Sequence, residues 1–379
     1  MKRIGITGQA GFMGTHLFNH LNLRKKEYTL VPFKDEFFDD EILLKQFVES
    51  CDVIVHLAAM NRHKNPQVIY ETNLDLVNKL ILALESSHGK PHLLFASSTQ
   101  EEQDNPYGRS KREGRELLAN WALKHHAIFT GLVIPNVFGP FGNPYYNSVI
   151  STFCYQLTHN ESPRIDIDGQ LKLIYVGELV QVFLNSIKEE RNDKEFKVPH
   201  TNEIKVSAIL KLLESFKTEY MDKGIFPFLS SRFETNLFNT FRCFMDIERH
   251  FPVNLKLNTD DRGSFVETVK SGTSGQTSFS VTKPHITRGN HFHTRKIERF
   301  AVIKGEATIE LRRIGSDHIM TFVLSGNEPA YVDMPVWYTH NITNTGNDEL
   351  YTIFWISEFF DPADPDTFFE PVRLAISDR

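Results

Sequence analysis

Arg3-Ile4-Gly5-Ile6-Thr7-Gly8-Gln9-Ala10-Gly11-Phe12-Met13-Gly14 is the stretch that decides the first half of the fold. A short apolar run ends in a glycine, two more glycines follow at three-residue intervals, and a helical pattern then runs over Phe12 to Leu23. A tight strand-to-helix turn needs a residue without Cβ, and a pyrophosphate approaches closely only over bare backbone. The helix N-terminus behind it offers free N–H groups and a partial positive charge. Gly8, Gly11 and Gly14, with Phe12 and Met13 in the first helical turn, are therefore expected to bind a dinucleotide. A glycine triplet also occurs in ordinary strand–helix turns; its place after the first strand of an alternating domain favours the cofactor.

Outward from this turn, short apolar runs alternate with helical patterns. Arg3 to Thr7, Tyr28 to Pro32, Asp52 to Leu57, His92 to Ala96 and Ile128 to Val133 read as buried strands. Phe12 to Leu23, Asp40 to Glu49, Val68 to Leu84 and Gly108 to His125 read as helices. The alternation predicts a Rossmann-like, doubly wound parallel sheet. Beyond Pro140 the pattern weakens, with amphipathic helices expected at Leu179 to Lys188 and Val206 to Thr218. Near Glu248 to Leu257 the texture changes. Strands follow quickly at Thr277 to Thr282, Glu298 to Ile303, Ala307 to Arg312, Met320 to Leu324, Ala330 to Met334 and Tyr351 to Ile356. Such spacing predicts a small antiparallel barrel or a double-sheet jelly roll. The expected organisation is an α/β dinucleotide domain over residues 1–247 and an all-β domain over 248–379.

A chain of 379 residues is too long for one ordinary core, which agrees with two domains. With 40% apolar and 24% charged residues and a net charge of -6, it reads as a globular protein without a nucleic-acid partner. Cys51, Cys154 and Cys243 are scattered and odd in number, so a disulfide framework is not expected and a reducing compartment fits. No apolar run is long enough for a membrane span and the start lacks a signal-peptide core, so the expectation is a cytoplasmic enzyme.

Tyr107-Gly108-Arg109-Ser110-Lys111 opens a helix and sets a phenol and an ammonium four residues apart, on one face. An ammonium beside a phenol is expected to lower its pKa, so that Tyr107 can pass a proton to a carbonyl oxygen as hydride reaches carbon. Lys111 can also hold the nicotinamide ribose. The preceding strand ends in Ala96-Ser97-Ser98-Thr99-Gln100, where Ser98 is the candidate for orienting the substrate carbonyl, with Ser97 or Thr99 as alternatives and strand-end capping as the plainer role. Near the end of the second strand, Lys34 could meet the 2′-phosphate of NADP, which favours NADPH. Asp35 follows and could serve NAD, and Lys34 also reads as a plain solvated lysine.

Gly289-Asn290-His291-Phe292-His293-Thr294-Arg295-Lys296-Ile297-Glu298 supplies two imidazoles on one side of a strand and, after a turn, a carboxylate. Pro335-Val336-Trp337-Tyr338-Thr339-His340 supplies a third imidazole, with Asn344 four residues on. His291, His293, Glu298 and His340 are the expected metal ligands. Three nitrogens and one oxygen suit zinc, with iron, manganese or nickel possible. Lys283, His285 and Tyr338 are candidate acids and bases beside it, and a structural metal holding a dimerising barrel is the rival reading.

The GxxGxxG spacing and Val55-His56-Leu57-Ala58-Ala59 resemble the extended, nucleotide-sugar branch of the short-chain dehydrogenase/reductase superfamily. The resemblance implies that Leu57, Ala58 and Ala59 pass beside the cofactor's adenine and ribose. Related dehydratases carry an Asp-Glu pair after the hydroxyl residue; here Thr99-Gln100 stands there, which argues against dehydration, although Glu101-Glu102 lies further on. Pro135-Asn136-Val137-Phe138-Gly139-Pro140 resembles that branch's substrate-side loop, so Asn136 could bind the sugar or its nucleotide, or be a turn residue. The histidine motifs resemble the cupin superfamily, with Trp337 and His285 departing from its glycines. The two resemblances in this order, with stretches such as Gln103 to Lys111, Pro144 to Cys154 and Asp260 to Phe265, resemble the CapF-type (WbjC/FnlB-like) family of capsular polysaccharide enzymes.

This resemblance implies a zinc-containing homodimer acting on a UDP-sugar. Its cupin would epimerise a UDP-4-keto-6-deoxy-N-acetylhexosamine at C3, and its reductase would reduce the C4 ketone with NADPH. The product would be a UDP-N-acetyl-6-deoxy-L-talosamine on the route to UDP-N-acetyl-L-fucosamine. A reductase with a purely structural cupin, or an NAD-dependent dehydratase or epimerase, are the competing readings.

Overall fold

The computed structural model describes residues 1–87 and 89–374. The chain forms two compact units: Met1–Thr152 with Ile165–Ala208, and Phe153–Arg164 with everything from Ile209 onward. In chain order the first stretch contains β1 (Lys2–Thr7), α1 (Phe12–Asn22), β2 (Tyr28–Val31), α2 (Glu41–Ser50), β3 (Val53–His56), α3 (Pro66–Ser86), β4 (His92–Ser98), α4 (Pro106–His125), β5 (Phe129–Ile134) and β6 (Asn136–Phe138). Then come α5 (Val149–Thr158), β7 (Gln170–Tyr175), α6 (Val176–Lys188), β8 (Asp193–Lys197), β9 (Asn202–Lys205) and α7 (Val206–Phe216).

The central sheet of the first unit has the order β2-β1-β3-β4-β5-β8, and every pairing in it is parallel. Alternate residues sort to its two faces. Ile4, Ile6, Val53, Val55 and Leu94 pack with Leu17, Leu21, Leu179 and Phe183 of α1 and α6. Ile54, Leu93 and Phe95 pack on the other side with Phe47, Val77, Leu118 and Trp121 of α2, α3 and α4. Both faces are thus covered, which is why these strands read as continuous apolar runs. The chain leaves β1 toward one edge and returns at β3 on the other side, so the crevice beyond the carboxyl ends of β1 and β3 is the topological switch point.

The second unit adds β10 (Ile225–Phe226), α8 (Arg232–Arg242), α9 (Ile247–His250), β11 (Val253–Asn254), β12 (Leu257–Asp260), β13 (Gly263–Val266) and β14 (Lys270–Ser271). Nine further strands follow: β15 (Gln276–Thr282), β16 (Thr287–Phe292), β17 (Glu298–Lys304), β18 (Glu306–Arg313), β19 (Ile319–Ser325), β20 (Ala330–Met334), β21 (Tyr338–Asn344), β22 (Leu350–Ile356) and β23 (Phe368–Phe369). With β11 they form two five-stranded antiparallel sheets, β11-β20-β17-β22-β15 and β19-β18-β21-β16-β23. Among the described residues no helix is long and apolar enough to cross a membrane.

The boundary expected at residue 247/248 differs from where compactness divides the chain, because residues from Ile209 onward belong with the antiparallel sheets. Buried polar groups tie them there. Arg242 of α8 donates to the Tyr220 hydroxyl (3.1 Å) and to Met334 O (3.2 Å). Tyr220 in turn donates to Asp333 (2.8 Å), which also holds Arg299 in a two-pronged pair at 2.7 and 2.9 Å. Helix α8 was not expected from the sequence, although Phe233, Leu237 and Phe241 recur at helical spacing; Asn236, Asn239, Thr240 and Arg242 are buried beside them.

Candidate active sites

At the switch point the glycine turn fits its expected geometry. Gly8 has φ +68°, and a Cβ there would sit 2.7 Å from Ala58 N, so both conformation and crowding demand glycine. A Cβ on Gly14 would sit 2.3 Å from Gly8 O. Gly11 caps α1, and its N–H donates to Gly8 O at 3.1 Å. Phe12 and Met13 begin the helix, while Leu57, Ala58 and Ala59 leave β3 beside the turn. Thr7 Oγ1 and His56 Nδ1 share a buried hydrogen bond of 2.7 Å, and Ala58 N–H reaches Thr7 Oγ1 at 3.4 Å, which pins the two strand ends together.

Tyr107 and Lys111 lie in the first turns of α4. Asn105 caps this helix by accepting from Gly108 N–H (2.8 Å), and Pro106 opens it. A Cβ on Gly108 would lie 2.0 Å from Gln100 O, so the helix start presses directly on the turn after β4. Lys111 is buried, donates to Ala96 O at 3.0 Å, and lies 5.9 Å from the centre of the Tyr107 ring. Burial pulls its ammonium down to about 8, against an opposing pull from Glu101. Tyr107 departs from expectation: burial, with Tyr146 nearby, pushes its phenol up to about 12 rather than down. A phenol held protonated is an acid, which is the form that ketone reduction requires.

Ser98 accepts from Gln100 N–H at 3.2 Å, capping the 3-10 turn Thr99–Glu102, and so keeps its own hydroxyl proton for another acceptor. Ser97 is buried and committed to the Glu101 carboxylate, and Thr99 is exposed. Glu101 is itself buried in a forked pair with Arg115 (2.9 and 2.7 Å), while Glu102 faces solvent. Lys34 is exposed just beyond β2, and Asp35 beside it is exposed too. Asn136 is a strand residue rather than a turn residue: it starts β6, is exposed, and donates to Lys172 O at 3.3 Å.

Two contributors were not singled out from the sequence. Asn73 replaces an apolar residue in the buried stripe Ile69, Val77 and Leu80 of α3, a polar interruption that could have flagged it. It clamps the segment after β3 through Met60 N (2.7 Å) and Met60 O (3.1 Å), and reaches Ser110 of α4 at 3.0 Å. The other is the Glu101–Arg115 pair, whose members are 14 residues apart and carry no local signal.

In the second unit His291, His293, Glu298 and His340 offer ligand atoms all within 4.8 Å of one another. A bulge between Gly289 and His291 shifts the β16–β21 register and sets His291 opposite His340. Glu298 Oε2 lies 3.0 Å from His340 Nε2, 3.1 Å from His293 Nε2 and 3.8 Å from His291 Nε2. Although burial works against it, the three imidazoles that face it hold this carboxyl well below the usual range. The outer nitrogens have their own partners, His340 Nδ1 with Tyr338 O (3.1 Å) and His293 Nδ1 with Asp366 O (2.5 Å), an arrangement that turns both Nε2 atoms inward. His293 Nε2 is buried without a hydrogen-bond partner. A cation would satisfy it, so three nitrogens and one carboxylate oxygen fit a divalent metal.

Asp366, also not singled out from the sequence, shapes this centre. Its buried carboxylate accepts from Thr294 N (3.1 Å), Thr294 Oγ1 (2.6 Å), Arg295 N (3.0 Å) and Lys296 N (3.0 Å), and so builds the turn between the histidines and Glu298. Lys283 and His285 are exposed beyond β15. Tyr338 is buried, and burial, with Cys243 beside it, pushes its phenol up.

The pattern of the NAD dependent epimerase/dehydratase family matches residues 4–199, and that of the polysaccharide biosynthesis C-terminal domain matches residues 258–368. The UDP-2-acetamido-2,6-beta-L-arabino-hexul-4-ose reductase of Pseudomonas aeruginosa is 31% identical over 368 residues, covering 97% of this chain and 98% of the relative. The crystal structure of the capsular polysaccharide assembling protein CapF from Staphylococcus aureus aligns at 35% identity and a TM-score of 0.61, over 98% of this chain and 100% of that one. RMD from Pseudomonas aeruginosa, solved with NADPH, shares the fold at 20% identity and a TM-score of 0.52, over 57% of this chain and 84% of that one. The chain belongs to the NAD dependent epimerase/dehydratase family and, across its full length, to the CapF-type capsule enzymes, in which such a domain precedes a polysaccharide biosynthesis C-terminal domain.

Proposed function

We propose that this protein is a bifunctional nucleotide-sugar enzyme. Its C-terminal unit, read as a cupin, epimerises a UDP-4-keto-6-deoxy-N-acetylhexosamine at C3. Its N-terminal unit then reduces the C4 ketone with NADPH, giving UDP-N-acetyl-6-deoxy-L-talosamine on the route to UDP-N-acetyl-L-fucosamine. The observation that carries the reading is the full-length likeness to a relative named as a ketohexulose reductase.

NADPH, bound over the glycine turn, would supply the hydride. Lys111 holds the ribose hydroxyls, and Lys34 meets the 2′-phosphate. Ser98 donates a hydrogen bond to the C4 oxygen, and Asn136 contacts the sugar nucleotide. Tyr107, kept protonated by burial, delivers its proton to the same oxygen as it gains charge. Such a positioned acid contributes about 10²–10⁴ in rate. The dehydratase reading loses support because Glu101, the nearest buried carboxylate after Ser98, is already committed to Arg115 and Ser97.

His291, His293, Glu298 and His340 would hold the metal, with zinc the first choice. A divalent ion there would supply positive charge to a ketone oxygen, which acidifies the neighbouring C3–H. Tyr338, whose proton is held by burial, is one proton carrier for C3, and Lys283 is the other. The same reading takes the protein as a cytoplasmic homodimer, a stoichiometry that light scattering checks.

The test is incubation with the UDP-4-keto sugar in deuterated water, with and without NADPH. Deuterium is expected at C3 without NADPH, and NADPH oxidation when it is added. Reduction of a pre-epimerised substrate with no deuterium uptake would leave the C-terminal metal purely structural. Tightly held NAD with no net NADPH consumption would replace the reductase by a dehydratase or epimerase.

A further inference from the structure

Asp366 is the first residue of a longer segment, Asp366-Thr367-Phe368-Phe369-Glu370-Pro371-Val372, that lies along the sheet bearing three of the four clustered groups. Its middle forms β23, which pairs with β16 at His291↔Phe369 and Phe292↔Phe368. The Phe368 ring packs on Phe292 at 5.4 Å, on the face of β16 away from the histidines. Arg312 of β18 fastens the far end. Its buried guanidinium donates to Val372 O (2.7 Å), Pro371 O (2.9 Å) and the Glu370 carboxylate (3.0 Å), and is anchored on Ser316 O (3.0 Å). Thr339, beside His340, donates to Glu370 O.

This segment reaches two of the histidines by separate routes. Asn290 is the extra residue of the bulge that sets His291 opposite His340, and it stands at φ +59°. A non-glycine residue keeps that left-handed conformation only where its surroundings impose it. Here the segment imposes it: Glu370 N–H donates to Asn290 O (2.9 Å), and Val372 N–H donates to Asn290 Oδ1 (3.2 Å). The second route is direct. A carbonyl oxygen can only accept, so Asp366 O at 2.5 Å requires a proton on His293 Nδ1 and reserves Nε2, which faces Glu298, as the metal-binding nitrogen.

We propose that residues 366–372 form a strap that sets the metal centre, His291 through the bulge and His293 through its ring proton, and that Arg312 is the positioning residue that fastens it. The inference rests on the metal reading of the His/Glu cluster. Unfastening the strap takes both acceptor contacts from Asn290, which is then free to leave its strained conformation, and it loosens the carbonyl that orients the His293 ring. Two ligands lose their aim together, although Arg312 acts on each only through the strap.

The experiment measures zinc affinity of the full-length protein by competition with a chromogenic chelator, and follows the His293 Nδ1 proton in the NMR spectrum of the zinc-loaded protein. Arg312→Gln is expected to weaken zinc by about tenfold and to let that proton exchange rapidly with water. Uptake of deuterium at C3 should fall with it, while NADPH-dependent reduction of a pre-epimerised substrate stays as it was. Phe368→Ala, at a partly exposed position and so gentler on the fold, is expected to move zinc affinity and the proton in the same direction. Leu237→Ala opens the buried face of α8, and should lower the urea midpoint while leaving zinc affinity and the proton signal in place. Zinc affinity and proton signal unchanged in both Arg312→Gln and Phe368→Ala would overturn the proposal, as would an equal loss in Leu237→Ala. A wild-type protein that takes up no divalent ion would instead overturn the metal reading, and the strap's role with it.

Discussion

At the N-terminal site the working groups stand at the carboxyl ends of parallel strands and in the first turns of α4, each positioned by backbone of its own. At the C-terminal site four side chains from two antiparallel sheets close on one point and restrain one another. Tyr107 and Ser98 keep their places through Gly108, Asn105 and the 3-10 turn. His293 Nε2 lacks a hydrogen-bond partner, and its imidazole crowds Glu298 with two others. The first arrangement tolerates loss of one reacting group with geometry intact. If the second holds the proposed cation, its members depend on that shared ion, so losing one of them should undo the rest.

The largest effects should therefore come from single atoms at the first site and whole ligands at the second. Tyr107→Phe removes only an oxygen, and is expected to lower NADPH oxidation by about 10²–10⁴ while deuterium uptake at C3 stays normal. His340→Ala should do the reverse: metal content by atomic emission falls, exchange at C3 stops, and a pre-epimerised substrate is still reduced. Loss of both activities in either variant would break the contrast.

Asp366→Ala sharpens the contrast without touching a ligand. It leaves three backbone N–H groups of residues 294–296 without their acceptor, so a loss of about 3 kcal/mol in urea unfolding is expected. Metal affinity should fall roughly tenfold to a hundredfold, because the turn sets the spacing between His293 and Glu298. NADPH binding, measured by fluorescence, should not change.

These expectations also mark what could be read from the chain in advance. The parallel sheet was legible because Ile4, Ile54 and Leu94 sit in strands buried on both faces, and the glycine turn because Gly8 needs a positive φ. The His/Glu cluster was legible because its members fall at strand spacing on either side of one turn. Asp366 was not, since its partner Thr294 lies 72 residues away, and the Glu101–Arg115 pair was not, since polar residues that bury in pairs leave no periodic trace. Strand β21, Tyr-Thr-His-Asn-Ile-Thr-Asn, escaped for a related reason: Thr339 and Asn341 on its other face are buried too, so no apolar alternation appears.

Gly8→Ala is expected to act more mildly and only on the first unit. A left-handed alanine carries a strain of about 1–2 kcal/mol, and its methyl would crowd Ala58 N. NADPH affinity should weaken by about tenfold, since each 1.4 kcal/mol is one decade. Exchange at C3 should be untouched, and a parallel loss of exchange would mean that the two activities share a site.

The smallest expected effect is at Lys34, and it is the most discriminating about the cofactor. Lys34 is exposed, so a contact with a 2′-phosphate is screened by water and is worth no more than about 1 kcal/mol. Lys34→Ala should lower kcat/KM with NADPH by about fivefold and leave kcat/KM with NADH as it was. Asp35 is equally exposed and stands one residue on, where it would repel a 2′-phosphate and accept from a ribose 2′-hydroxyl. Asp35→Asn should therefore weaken NADH and spare or improve NADPH. If Lys34→Ala weakens both cofactors alike, the lysine acts on the pyrophosphate through its general charge. If it weakens neither while Asp35→Asn weakens NADH, the carboxylate reads the ribose and NAD is the cofactor of this site.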